Sequence, residues 1–199
     1  NGFNSALVIA SDQSISTPTA GTSNVRLGVN AGNSIASGGN YNTVVGDEAG
    51  TAISTGDSNV AIGYQALDLE DTGSNNVAIG RGALSTQNYD GEAYNTAVGY
   101  GAGNLVTTGF DGSDNSVAGS DNNTVIGYNA LAIDTKGSKT VAIGHGALAT
   151  QNFTSETSTY NIAIGSDAGK SITTGTSNTV LGARAVYAGT TTCVGGTFL

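Results

Sequence analysis

The sequence predicts an all-β chain wound as a β-solenoid, or β-roll, of about ten short coils. Three observations predict it. One glycine-centred motif recurs ten times, around Gly28, Gly46, Gly63, Gly80, Gly99, Gly127, Gly144, Gly165, Gly182 and Gly195. Its basic spacing is 17 residues, as from Gly46 to Gly63 to Gly80, too short for paired-helix repeats of about 33 residues or more. Small residues also dominate: Gly, Thr, Ala, Ser and Asn fill 122 of the 199 positions. Such a chain can build thin strands and tight turns, but not the heptads of a coiled coil.

Residues 1–22 precede the repeat as an N-terminal segment, linker or cap. Within them Ala6-Leu7-Val8-Ile9-Ala10 reads as a short buried strand, and Gln13 to Thr22, with the chain's one proline, Pro18, as a linker. The roll then runs over 23–199. Positions are counted from the repeat glycine. Position −4 is Asn in eight copies and Thr140 or Thr191 in the other two. Position −1 is always Ile, Val or Leu, and +3 is Ala in nine copies and Phe198 in the tenth. A stretch such as Asn59-Val60-Ala61-Ile62 predicts one short strand per coil. The repeat glycine leads a turn. Thr-Gly pairs such as Thr55-Gly56, Thr72-Gly73, Thr108-Gly109 and Thr174-Gly175 predict a second turn in which glycine supplies positive φ. The Asn column predicts an amide ladder that satisfies turn backbone groups and fixes register. Ten strands about 4.8 Å apart make a rod on the order of 43 Å long.

Longer steps follow Gly80, Gly99 and Gly144, with insertions at the same phase over 85–94, 104–122 and 149–160. A second level of repetition lies above the first. Ile62 to Tyr89 matches Ile126 to Phe153 without a gap, more than half of the positions being identical. A block of several coils was therefore duplicated with its insertion.

Side chains alternate along a strand. The β-branched −1 and −3 positions are expected to fill the inside of the roll. Position −2 then faces outward, and its column is small and apolar in nine of ten coils. A strand apolar on both faces is buried on both, so Ala61, Ala78, Ala97, Ala142 and Ala163 are expected to meet other copies of the chain. A cyclic homo-oligomer about the rod axis satisfies that demand. The alternative is that −2 is small for steric reasons inside a monomeric solenoid.

The net charge is −9, with only six Lys and Arg spread along the chain, which supplies no basic patch for nucleic acid. No apolar run is long enough for a membrane-spanning helix, so neither nucleic acid nor membrane insertion is expected. The single cysteine, Cys193, leaves no pair for an internal disulfide. The chain begins without Met and stops inside the repeat pattern, and so reads as a slice of a longer protein.

The run Asn-Val-Ala-Ile-Gly-x-x-Ala, coil after coil over about residues 23 to 199, resembles the head repeats of YadA-type trimeric autotransporter adhesins. The same repeat occurs in bacteriophage tail fibres and other virion fibres. The resemblance implies a left-handed parallel β-roll with three chains around one axis, and attachment to a host or partner surface. It brings no catalytic residues and no cofactor. The adhesin repeat is shorter than this one, and the long insertions are foreign to a plain adhesin head. These departures favour a structural fibre segment on a virion surface over a bacterial cell-surface adhesin. The implied partners are other copies of the chain, neighbouring virion or fibre proteins, and a glycan or protein of the host surface.

No site chemistry is strongly marked. Paired carboxylates for glycan cleavage do not recur at any recognisable spacing, so no enzyme is expected. Ice binding wants a flat Thr-x-Thr array, but Thr occupies −3 in only half the coils. His145 follows a repeat glycine, at a permissive and exposed position. Cys193 reads as a small buried hydrophobe in the −2 column. Asp111, Asp114 and Asp121 offer oxygen ligands for calcium, although a solvated loop is the simpler reading and no metal is expected. Recognition is expected of the insertions, because loops on a rigid solenoid vary without disturbing its core. Tyr89, Phe110 and Phe153 are the candidate contacts. Tyr41, Tyr94 and Tyr160, each just before the −4 residue, are expected to cap the roll locally.

Overall fold

The computed structural model describes residues 20–88, 91–106, 122–188 and 192–199, and the backbone of two further short strands, Val8–Ile9 and Ile15–Ser16, which pair antiparallel. The second of these falls inside the segment expected to be a linker. Among the described residues there is no helix. One parallel sheet carries the fold. Its strands are Val25–Leu27, Thr43–Val45, Val60–Ile62, Val77–Ile79, Thr96–Val98, Thr124–Ile126, Val141–Ile143, Ile162–Ile164, Thr179–Leu181 and Thr197–Phe198, stacked in chain order. Register is kept without a slip: Ala61 pairs with Ala78, Ala78 with Ala97, and Ala142 with Ala163. The chain is therefore a parallel β-solenoid, as the short repeat period predicts.

The faces of the strand are the reverse of the expectation. Position −2 points into the roll: Val44, Ala61, Ala78, Ala97, Ala142 and Ala163 have no exposed surface, and Val125 and Val180 almost none. The five alanines proposed as contacts between chains lie inside their own chain's core. The −1 and −3 residues face outward, half-exposed along most of the sheet. The coil is thin, and its interior must also hold the +3 alanines and the −4 amides, so between the two ends of the stack only small side chains fit at −2. Parity along the strand carried this information. Position −4 shares a face with −2, and an amide that reaches the turn on the far side of the coil must point inward.

The Asn ladder forms as its column predicts. The side-chain oxygens of Asn24, Asn42, Asn59 and Asn161 accept from the backbone N–H of Asn42, Asn59, Asn76 and Asn178 in the next coil, at 2.8–3.0 Å. Amide nitrogens of Asn24, Asn42, Asn59 and Asn161 donate across the coil to the carbonyls of Gly39, Gly56, Gly73 and Gly175 at 2.7–2.8 Å. Each buried Asn thus serves two main-chain groups that would otherwise be unpaired in a dry interior.

Left-handed backbone recurs at −5, 0, +2 and +4 of the coil. In the coil of Gly63 these are Ser58 (φ 59°), Gly63 (φ 125°), Gln65 (φ 54°) and Leu67 (φ 52°). A leucine in that region is unusual, and the strain is of order 1–3 kcal/mol. The full burial of Leu67, Leu84, Leu131 and Leu148 offsets it. The Thr-Gly turns differ from the expectation, since Gly56 and Gly175 are not in the left-handed region. They are glycine because a Cβ would strike the next turn, on the carbonyl of Gly73 or of Cys193.

The tenth copy is displaced. The strand that completes the sheet is Thr197–Phe198, with Val180 opposite Phe198. Phe198, not Cys193, therefore takes the −2 place. Cys193 sits in the preceding turn, where its carbonyl accepts from the Asn178 amide at 2.7 Å. The cause is length: the step from Gly182 to Gly195 is shorter than the basic repeat and cannot close a full coil. Of the insertions, 149–160 contributes the strand Thr157–Ser158, paired with Gly137–Ser138. In 85–94 an isolated bridge joins Glu92 to Ser74.

Candidate surface groove and aromatic ladder

Position +1 leaves the repeat glycine at a corner of the coil, so its side chains stack from coil to coil. Over five coils the column reads Tyr64, Arg81, Tyr100, Tyr128, His145. The Arg81 guanidinium lies between two rings, 5.5 Å from the centre of Tyr64 and 5.4 Å from that of Tyr100. It donates to the Tyr100 hydroxyl at 2.9 Å. Tyr100 and Tyr128 are nearly parallel at 5.2 Å between centroids, as are Tyr128 and His145. That separation is offset stacking, which leaves part of each ring face uncovered. Tyr100 and Tyr128 remain 45% and 50% exposed. The permissive, exposed place expected for His145 is where it stands, with its ring stacked on Tyr128.

Beside the ladder runs a groove of about 440 Å³ lined by Gln65, Arg81, Ser85, Tyr100, Asn104, Leu105, Tyr128, Asn129 and Ile133, with Gly82, Gly101 and Ala132. The rings and Leu105 and Ile133 form apolar patches, and three carboxamides and a hydroxyl stand between them. Asn104 donates to Ser85 Oγ at 2.6 Å, and Gln65 to Glu48 at 2.9 Å. The Asn129 carboxamide lies over Gly101, where a Cβ would strike its Oδ1. Among the described residues no carboxylate lines the groove, and Arg81 is the one cation that does. Coulomb repulsion from Glu48 raises the Tyr64 hydroxyl above its ordinary pKa.

A second polar arrangement is buried. Glu70 accepts from Gln87 Nε2 at 2.8 Å and from the Gly73 N–H at 2.8 Å. One duplication further on, Asp134 accepts from Gln151 Nε2 at 2.6 Å and from the Phe153 and Gly137 N–H groups at 3.0 and 3.2 Å. The amide oxygens of Gln87 and Gln151 accept from Asn95 and Asn161 of the ladder. Burial raises the Asp134 carboxyl above the usual carboxylate range, against the lowering effect of those hydrogen bonds. This network is sealed inside the coil, with Glu70, Gln87, Asp134 and Gln151 all buried.

The residues singled out in the sequence fare differently. Phe153 is only 6% exposed, so it is not a surface contact; the Thr135 hydroxyl donates to its carbonyl at 2.8 Å. Tyr89, Phe110, Asp111, Asp114 and Asp121 lie outside the described residues. Tyr41, Tyr94 and Tyr160 do not pack as caps. They occupy the left-handed −5 position and are 64%, 48% and 57% exposed. The +1 ladder is visible in the sequence as a column, but its residue types differ from coil to coil, and only the stacking geometry joins them into one surface. Family models, curated proteins and solved structures offer no match to this chain.

Proposed function

We propose that the chain is a segment of a homotrimeric structural fibre, wound left-handed, that serves in attachment at a virion surface. One observation carries this reading. The outer face of the parallel sheet is an unbroken stripe of uncharged, mostly β-branched −1 and −3 residues, among them Val60, Ile62, Val77, Ile79, Val141 and Ile143. Leu27, Ile126, Ile162, Ile164 and Leu181 on it are 38–50% exposed. Parallel strands are ordinarily covered on both faces. This stripe repeats with the coil, so a symmetric copy of the same chain matches it along its whole length.

The absence of a charged side chain at −1 or −3 in nine successive coils supports a covered face rather than a solvated one. The likeness of the repeat to adhesin heads and fibre proteins supports three chains about one axis. Attachment to a host glycan or protein follows from the same likeness and from the rigid presentation of surface loops. The measurement is native mass by light scattering. A trimer has three times the single-chain mass of 19.6 kDa. The single-chain mass itself would leave a monomeric solenoid, and the fibre reading would fail.

A further inference from the structure

We propose that the groove beside the +1 ladder binds a neutral oligosaccharide. The inference names the ligand class and the site within the attachment reading, and takes only its biological meaning from that reading. A pyranose ring has an apolar C–H face and an edge of hydroxyls. The groove presents the matching surfaces: uncovered parts of the Tyr100 and Tyr128 rings for the faces, and the carboxamides of Asn104 and Asn129 for the hydroxyls.

Three observations separate this groove from an ordinary surface crease. The ladder is fixed: stacking on both sides holds Arg81, and its bond to Tyr100 sets the ring angle, so little side-chain entropy is lost on binding. The Asn129 carboxamide is partly buried and makes no hydrogen bond to the described residues, so it faces the groove with its donors and acceptor available. The volume of about 440 Å³ falls in the range of small-molecule sites.

Charge selects the class. The chain carries −9, and the guanidinium of Arg81 is already shared between two tyrosines. A polyanionic chain gains little from that one cation and is repelled by the rest of the molecule. An uncharged chain of hydroxyls suffers no such repulsion. The ladder extends past the groove to Tyr64 and His145, so a chain of several sugar units can follow it along the rod.

The test is titration of the whole chain with neutral hexasaccharides of glucose, of mannose and of N-acetylglucosamine, and with a sulfated and a uronic-acid hexasaccharide. Binding is read by calorimetry and by tyrosine fluorescence, since the chain has no tryptophan. Two substitutions install residues that other coils carry at the same places: Tyr128→Ser, as at Ser166, and Asn129→Gly, as at Gly101. At least one neutral hexasaccharide is expected to bind, about tenfold more weakly in each variant, the size of one lost hydrogen-bonding or stacking group. Both variants should unfold at nearly the wild-type temperature. Tyr160→Ser, outside the groove, should bind as wild type does. Absence of binding to every neutral chain, preference for the charged ones, or wild-type affinity in both variants would overturn the proposal. Native mass is measured on the same samples. A trimer that binds no sugar removes the site and leaves the fibre; a single chain that binds sugar does the opposite.

Discussion

At the scale of the residue, the repeat glycines are fixed by two constraints at once. Gly63 has φ 125°, a region closed to side chains, and a Cβ on it would lie 2.7–2.8 Å from the carbonyl of Gly80 in the next coil. Gly82 has φ 67° and nothing nearer to such a Cβ than Asn104 Nδ2 at 3.7 Å. Gly63→Ala is therefore expected to cost upwards of about 3 kcal/mol, through strain and displaced backbone. Gly82→Ala should cost only about 1 kcal/mol, the left-handed penalty alone. Thermal unfolding of the pair separates the two cases; equal losses would mean that coil spacing yields to a methyl group. The glycine column was legible in the sequence because glycine alone satisfies both constraints. The left-handed leucines were not. Nothing in leucine's own preferences suggests a positive φ, and only the rigid coil around Leu67 imposes it.

At the scale of the element, eight of the coils fall into two kinds. Where +4 is glycine, at Gly32, Gly50, Gly103 and Gly169, position +7 is Ile35, Ile53, Val106 or Ile172, which fills the space beside that glycine. Where +4 is Leu67, Leu84, Leu131 or Leu148, position +7 is Glu70, Gln87, Asp134 or Gln151. A large apolar group enters from one place or the other, not from both. Gly50→Leu should lose about 1–3 kcal/mol by overpacking, because its Cβ would stand 2.7 Å from Ile53 Cδ1. Adding Ile53→Ala should recover part of that loss, a non-additivity that a double-mutant cycle measures. The leucine coils occur in adjacent pairs, and that adjacency lets Glu70 meet Gln87 and Asp134 meet Gln151. The correlation is present in the sequence, but it spans two positions and two coils, so reading one column at a time misses it.

The buried carboxylate makes stability depend on pH in a definite direction. Asp134 holds its proton more tightly in the folded chain than in the unfolded one, because burial raises its pKa. Over the window from the ordinary aspartate range upward, beginning near pH 4, the folded state binds more protons, so stability falls as pH rises through it. Wild type is therefore expected to lose melting temperature relative to Asp134→Asn between about pH 4 and neutrality. Parallel melting curves for the two proteins across that range would contradict the assignment. Gln151→Ala leaves the same carboxylate without its side-chain donor, and should cost about 1–3 kcal/mol at neutral pH.

At the scale of the whole molecule, the sequence contained the right demand and pointed it at the wrong face. A strand apolar on both sides does leave one side uncovered in a single chain. The bulk of the β-branched residues suggests an interior, whereas the fully buried −2 and −4 positions of a coil this thin hold only alanine, valine, asparagine and one threonine, Thr140. The correction sharpens the test of assembly. Ile143 and Ala142 are neighbours on one strand and point to opposite faces, half-exposed and fully buried respectively. Ile143→Lys places a charge on the stripe, and should keep the β-sheet circular dichroism while the native mass drops from that of the proposed trimer to that of a single chain. Ala142→Lys drives the same charge into the core, and should abolish folding by several kcal/mol. An Ile143→Lys protein that stays trimeric would locate the contact between chains elsewhere, since an unpaired ammonium buried three times in one interface is not tolerated. The reverse pattern, with Ala142→Lys folded but dissociated and Ile143→Lys unfolded, would mean that the exchange of faces itself is wrong.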